Sequence, residues 1–130
     1  MTSTSTGRRI GSLVLRGLLT ALFVAAGGMK LVAVPFEVAG FAHFGYPLWF
    51  MYVVGAAQLL GAALLWRRAT VAYGALLLAA VMVGAAFSHL RAGDPVAMAV
   101  PAIAILGLLL GLAYARRGDA IPASFRVSQA

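Results

Sequence analysis

Four long apolar runs occupy most of the 130-residue chain and constrain its fold more than any other feature. They extend approximately over Leu13–Val34, Leu48–Trp66, Thr70–Leu90 and Pro95–Ala115. Each approaches the roughly 20 residues that a helix needs to cross the hydrocarbon layer of a membrane. The apolar fraction of 63% is also higher than a soluble domain of this length carries. The runs therefore predict four transmembrane helices.

The apolar runs are continuous, whereas the strands of a membrane β-barrel alternate apolar and polar residues. Helices also satisfy their backbone hydrogen bonds internally, as the bilayer requires. We therefore predict an all-α fold in which residues 13–115 form one bundle of four transmembrane helices. Residues 1–12 are predicted to be a disordered cytoplasmic N-terminus, and residues 116–130 a cytoplasmic C-terminal tail.

The basic residues are sorted by side, and this pattern predicts the orientation of the bundle. Arginines precede or begin the first run, separate the second from the third, and follow the fourth, at Arg8, Arg9, Arg16, Arg67, Arg68, Arg116 and Arg117. Lys and Arg accumulate on the cytoplasmic side of membrane proteins. We expect an up-down-up-down bundle in the inner (plasma) membrane with both termini cytoplasmic.

The net charge of +7 follows from the same arginines. It indicates contact with anionic lipid head groups of the bilayer and not with nucleic acid. The chain has no cysteine, which excludes disulfides, thiolate catalysis and Cys-ligated iron–sulfur or zinc sites. The two histidines are far apart in sequence, so we expect no metal site on this chain.

The two outer connections contain the turn and loop signals of the chain. In the second connection, Gly93 is predicted to stop one helix, with Asp94 as the N-cap and Pro95 as the first residue of the next. The first connection, Pro35–Pro47, is long and rich in aromatic residues. Two interpretations stay open: a short interfacial helix that covers the outer end of the bundle as a lid, or an aromatic belt at the membrane surface.

Small residues recur at four-residue spacing along each predicted helix. Such stripes let helices approach closely in lipid, so we expect them at helix–helix contacts. The stripes are Gly17, Ala21 and Ala25; Ala57 and Gly61; Ala80, Gly84 and Ser88; and Gly107, Gly111 and Ala115.

A few polar residues lie within or close to the apolar runs and are the candidates for chemistry. Lys30 and His89 are predicted near the outer ends of their helices, and Gln58 lies about 15 Å into the second helix. Lys30 is a candidate for binding an anionic or carbonyl group, and a histidine exchanges protons near neutral pH. Each residue also has a structural explanation that involves no function. Lys30 can snorkel toward the head groups, His89 can lie at the membrane interface, and Gln58 can form an interhelical hydrogen bond.

We predict Lys30 and His89 as catalytic residues. Gln58, Tyr52 and His43 are predicted to bind the substrate, in a pocket that opens outward beneath the aromatic connection. Tyr52 also fits an aromatic belt.

Four segments, in order along the chain, resemble the DoxX-like membrane proteins. They are Ala26-Gly-Gly-Met-Lys-Leu, Phe41…Gly45-Tyr-Pro, Val54-Gly-Ala-Ala-Gln-Leu-Leu-Gly and Ala85-Ala-Phe-Ser-His-Leu-Arg-Ala-Gly-Asp-Pro. The resemblance implies a four-helix inner-membrane protein, and the family takes its name from a subunit of a thiosulfate:quinone oxidoreductase. It places the recurrent polar positions at Lys30, Gln58 and His89. Where this chain has Gln58 the family commonly has Glu, so an ionisable group is missing from the middle of the membrane.

Three functions follow as expectations. The first is an oxidoreductase-associated subunit that handles quinone or another lipophilic small molecule as a substrate. A redox partner subunit would supply the cofactor, because this chain is expected to hold none. The second is a cofactor-independent isomerase or cyclase acting on a lipophilic substrate. The third is a non-enzymatic protein that binds or transports a small molecule or scaffolds a complex. A homo-oligomer is compatible with all three.

Overall fold

The computed structural model describes residues 2–120, with side chains from residue 6 onward, and this part of the chain is all-helical. The predicted all-α fold is confirmed. The five α-helices are α1 (Thr2–Leu31), α2 (Pro35–Phe44), α3 (Leu48–Leu64), α4 (Val71–Arg91) and α5 (Val100–Ala115).

Several of these helices are long and apolar enough to cross a membrane. Three spans meet this description by themselves: Thr6–Leu31, Val71–Arg91 and Val96–Ala115. A fourth is present if α2 and α3, which are bent by 115° relative to each other, are taken as one broken span. These helices indicate a membrane protein, whereas the up-down order and the side on which the termini lie stay predictions.

The first helix begins at Thr2, within the segment 1–12 that was expected to be disordered. No proline interrupts this segment, and adding a turn to an existing helix costs far less than nucleating a new one. At the other end, a short 3₁₀-helix, Arg117–Ala120, follows α5. The rest of the predicted tail, residues 121–130, lies outside the described residues.

The aromatic connection contains α2, a helix in which no residue is buried. Pro35 occupies its first turn, where a missing N–H costs nothing. Gly45 ends it with a left-handed backbone (φ 81°), and the Tyr46 N–H closes the turn on the Phe41 carbonyl at 2.9 Å. Pro47 then precedes α3, so the chain turns sharply at 45–47.

The second connection differs from its prediction. Gly93 does follow the end of α4 with a left-handed backbone (φ 78°). However, α5 begins only at Val100, after a 3₁₀-turn at Val96–Met98, because Pro101 lacks the N–H that a longer α-helix would need there. Asp94 is therefore not an N-cap, and its carboxylate binds two histidines instead.

Four glycines allow neighbouring helices to approach each other closely. A Cβ on Gly27 of α1 would lie 2.8 Å from the Gly55 carbonyl oxygen of α3, and one on Gly74 of α4 would lie 2.7 Å from the Gly61 carbonyl oxygen. These approaches permit the tight crossings of α1 with α3 and of α3 with α4.

Most of the predicted small-residue stripes do not make such contacts. A Cβ added at Gly17, Gly84, Gly107 or Gly111 would have no described atom within 4 Å. The prediction is therefore wrong for these positions, and it holds for Gly61. On α1 the buried face carries Leu19 and Phe23 in place of the stripe. Composition alone does not distinguish a glycine that packs from one that faces open space.

Candidate functional site

A cavity of about 730 Å³ lies beneath α2. Its wall combines one face of α2 with parts of α3 and α4 and with the turn between α4 and α5. The predicted stripe Ala80, Gly84 and Ser88 lines this cavity, and a Cβ added at Gly84 would meet no described atom within 4 Å. Small side chains on α4 thus create the space.

The helix α2 covers the cavity, as the lid interpretation predicts. Phe36, Phe41 and Phe44 all line the cavity from this helix. The Phe41 ring meets Tyr46 and Phe50 edge-on, with centroids 6.1 and 6.3 Å away. Aromatic rings in this arrangement form a rigid apolar wall. Trp49, which is 65% exposed, instead suits the surface position expected of a belt residue.

One side of the cavity carries an ion pair between α1 and α2. The Lys30 ammonium lies 3.4 Å from a Glu37 carboxylate oxygen, and both side chains are largely buried. A Cβ on Gly55 would lie 2.9 Å from the Lys30 Cβ, so the glycine crossing brings this lysine against α3. Lys30 therefore does not snorkel freely toward the head groups; its charge is balanced inside the fold.

Gln58 lines the cavity from α3 and is only 3% exposed. Its Oε1 is buried and has no hydrogen-bond partner among the described residues. The structure therefore shows no interhelical hydrogen bond to Oε1, which was the structural explanation predicted for this amide. A buried polar atom without a partner is uncommon and calls for an explanation such as a ligand.

The opposite side of the cavity carries two histidines joined by one carboxylate. His89 Nδ1 lies 2.8 Å from Asp94 Oδ2, and His43 Nε2 lies 2.7 Å from Asp94 Oδ1. The hydrogen bond from His89, followed by that from His43, lowers the pKa of Asp94. The carboxylate is therefore ionised at neutral pH. Within residues 2–120 no group of three His, Asp or Glu side chains is arranged to hold a metal ion.

A second polar chain links the end of the lid to α4. The Ser88 hydroxyl donates to the Gly84 carbonyl at 2.6 Å, so the Tyr46 hydroxyl donates to Ser88 Oγ at 2.7 Å. Arg91 donates to the Phe44 carbonyl and lies over the Tyr46 ring, with Cζ 5.2 Å from the centroid. These contacts fasten the C-terminal end of α2 to the end of α4.

Four of the five predicted site residues, Lys30, Gln58, His43 and His89, line this one cavity. Tyr52 is not among the lining residues; it lies on the outer face of α3, 37% exposed. Sequence reasoning missed Glu37 and Asp94 as members of the site. The chain has only three acidic residues, and a carboxylate in so apolar a sequence is itself a signal that would have found them.

Comparison with known proteins finds a relative that is similar over most of its length. The "Uncharacterized protein YdgD" of Bacillus subtilis (strain 168) is 38% identical over 92 residues, covering 66% of this chain and 81% of that protein. No solved structure matches the chain. The family model of the DoxX-like proteins matches residues 14–113, which include all five predicted site residues and both missed carboxylates. The chain therefore belongs to the DoxX-like family.

Proposed function

We propose that the chain binds a lipophilic small molecule of the quinone class in the cavity and acts as an oxidoreductase-associated subunit in the membrane. The observation that carries this proposal is the convergence of Lys30, Gln58 and His89 on one largely apolar cavity. Sites for small molecules are concave and mostly apolar, with a few polar groups that fix the orientation of the ligand. A substituted ring with oxygen atoms at its edge matches this combination.

The size of the cavity supports the same class of ligand. Its volume of about 730 Å³ falls within the range of about 300–1,000 Å³ typical of small-molecule sites. The phenylalanine rings of the lid would stack on a planar ligand, while the open small-residue face of α4 leaves room for an alkyl tail. A redox partner subunit would supply the electron-carrying group.

Two matched glycine variants test the proposal. Gly84→Leu fills the cavity from α4, whereas Gly111→Leu adds the same side chain to an open face of α5 that does not line it. With purified protein in micelles and a short-tailed quinone as the probe, calorimetry should show binding weakened at least tenfold by Gly84→Leu. Gly111→Leu should leave the affinity unchanged.

Polar variants complete the test. Lys30→Ala/Glu37→Gln, which leaves no unpaired carboxylate, and His89→Ala should weaken quinone binding while leaving expression and membrane insertion intact. Quinone affinity that is indifferent to Gly84→Leu and to both polar variants would contradict the proposal.

A second candidate function is favoured by the His89–Asp94 pair. An imidazole oriented by a carboxylate serves as a general base without any cofactor, as an isomerase or cyclase requires. In that case the purified chain alone would convert a lipophilic substrate. Turnover that needs an added redox partner would favour the first function over this one.

A further inference from the structure

We propose that the cavity takes the hydroxyl-bearing form of its ligand, a hydroquinone or phenol, and that His89 Nε2 accepts the proton of that hydroxyl. Asp94 is the positioning residue for His89, and His43 connects Asp94 to the water outside. The inference rests on the proposed function, because it names the chemical form that the same site binds.

The protonation of the two rings follows from the carboxylate between them. An ionised carboxylate only accepts hydrogen bonds, so the nitrogens that face Asp94 must both carry hydrogen. These are Nδ1 of His89 and Nε2 of His43. In the neutral ring of His89 the other nitrogen, Nε2, then has a free lone pair. No described residue donates to it, and His89 lines the cavity.

The three side chains differ in exposure. The side chain of His43 is 54% exposed, whereas His89 is 23% and Asp94 is 12% exposed. The ring of Phe44 stands edge-on to His89 with centroids 5.0 Å apart and restrains its orientation. His89 is therefore fixed in position at the cavity wall, and the more exposed His43 lies on the other side of its carboxylate.

The cavity also offers a second acceptor without a donor, the buried Oε1 of Gln58. A quinone carbonyl cannot donate a hydrogen bond to either acceptor, whereas a hydroquinone or phenol hydroxyl can. These two acceptors thus favour the hydroxyl form.

The proposed proton transfer is balanced within the site. The ligand O–H bond breaks, its electron pair stays on oxygen, and an N–H bond forms at His89 Nε2. The resulting imidazolium is stabilised by the Asp94 carboxylate, and the oxyanion lies in the same cavity as the Lys30 ammonium. No electron leaves the ligand in this step.

The other charged or titratable groups around His89 are already engaged. On its own helix, Arg91 donates to the Phe44 carbonyl and lies over the Tyr46 ring. The Tyr46 hydroxyl is bonded to Ser88, and Glu37 is paired with Lys30. Apart from His43, these groups leave Asp94 as the charged partner of His89.

A phenol probe tests the proposal through its spectrum. An alkyl-tailed nitrophenol absorbs differently as phenol and as phenolate, so the bound species can be read directly in micelles containing the purified full chain. At the same pH, the ratio of phenolate to phenol should be at least tenfold higher for probe bound to the wild type than for probe in micelles that contain the cavity-filled Gly84→Leu protein. His89→Gln should abolish this excess while still binding the probe.

Two carboxylate variants separate a positioning role from a merely structural one. Asp94→Asn should reduce the phenolate excess several-fold, and Asp94→Glu should restore part of it. Asp119→Asn, which removes a carboxylate bonded to two arginines far from the cavity, should leave it unchanged.

The outcomes distinguish this inference from the proposed function. If quinone and nitrophenol both bind but the bound probe shows no phenolate excess, or if His89→Gln retains that excess, the proton-accepting role is overturned and the binding function stands. If neither compound binds, both are overturned.

Discussion

The two ends of the bundle each place one aspartate between two basic side chains, yet they differ in what surrounds that aspartate. At one end, which carries Arg16, Arg68 and Arg116 and is called the arginine end, Asp119 receives hydrogen bonds from Arg116 at 2.8 Å and Arg68 at 3.2 Å. At the lid end, Asp94 lies between His43 and His89 and borders the cavity. Arginine stays charged at any physiological pH, whereas histidine exchanges its proton. The first arrangement is suited to clamping the fold, and the second to chemistry.

The packing of the helices also differs between the two ends: contacts close the arginine end, whereas a cavity opens at the lid end. At the arginine end, Arg16 donates to the Leu65 carbonyl at 3.3 Å, and Arg116 donates to Ser12 at 3.2 Å. Gly74, one turn into α4, is pressed against α3, while Gly84 of the same helix faces the cavity. One helix therefore contributes a closed contact at one end and an open wall at the other.

The largest effect on stability is expected from breaking the buried ion pair at the lid end. Lys30→Met leaves the Glu37 carboxylate unpaired in a largely buried position, which should lower the free energy of unfolding by about 3 kcal/mol. Unfolding by SDS titration of the purified protein would measure it. The double variant Lys30→Met/Glu37→Gln should recover most of the loss.

The matched change at the arginine end is Arg68→Met. The Arg68 side chain is 76% exposed, so its removal should cost less than about 1 kcal/mol. Equal losses from Lys30→Met and Arg68→Met would show that the lid-end pair is screened by water as fully as the surface pair.

The next-largest effect on stability is expected to differ between the two glycines of α4. Gly74→Ala forces its Cβ against the Gly61 carbonyl and should destabilise the protein by about 2 kcal/mol. Gly84→Ala adds the same methyl group to open space and should change stability by no more than about 0.5 kcal/mol. The same titration measures both, and a Gly84→Ala loss as large as that of Gly74→Ala would mean that the cavity is closed in solution.

Much of the fold was predictable because it follows from apolar runs whose length matches a membrane. The site was predictable only in part, since Lys30, Gln58 and His89 stand out as polar residues in apolar helices. Their convergence depends on the bend at Gly45 and on the close crossing at Gly27 and Gly55, which are three-dimensional relations. Asp94 shows the limit most clearly: its position before a proline predicts an N-cap, but two histidines brought in by α2 and α4 compete successfully for the carboxylate.

The smallest expected effect is the loss of folding stability at acid pH. Hydrogen bonds from His89 and then His43 lower the pKa of Asp94. Burial would raise the pKa of Asp119, but the hydrogen bonds from Arg116 and Arg68 outweigh it, so the pKa of Asp119 is lowered as well. A carboxyl whose pKa is lower in the folded state stabilises the fold above its unfolded pKa. That contribution is lost as the pH falls through the folded pKa.

Both ends should therefore weaken as the pH falls below about 4, the ordinary range of aspartate. At pH 7, Asp119→Asn should cost about 1 kcal/mol because it leaves two permanent charges facing each other, and Asp94→Asn should cost less because its two partners are histidines, which carry no permanent charge. SDS titrations at pH 7 and pH 3 should show a smaller acid-induced loss in each variant than in the wild type. If Asp94→Asn proves the more destabilising of the two at pH 7, the lid-end carboxylate is a structural clamp like its counterpart, and the contrast between the two ends disappears.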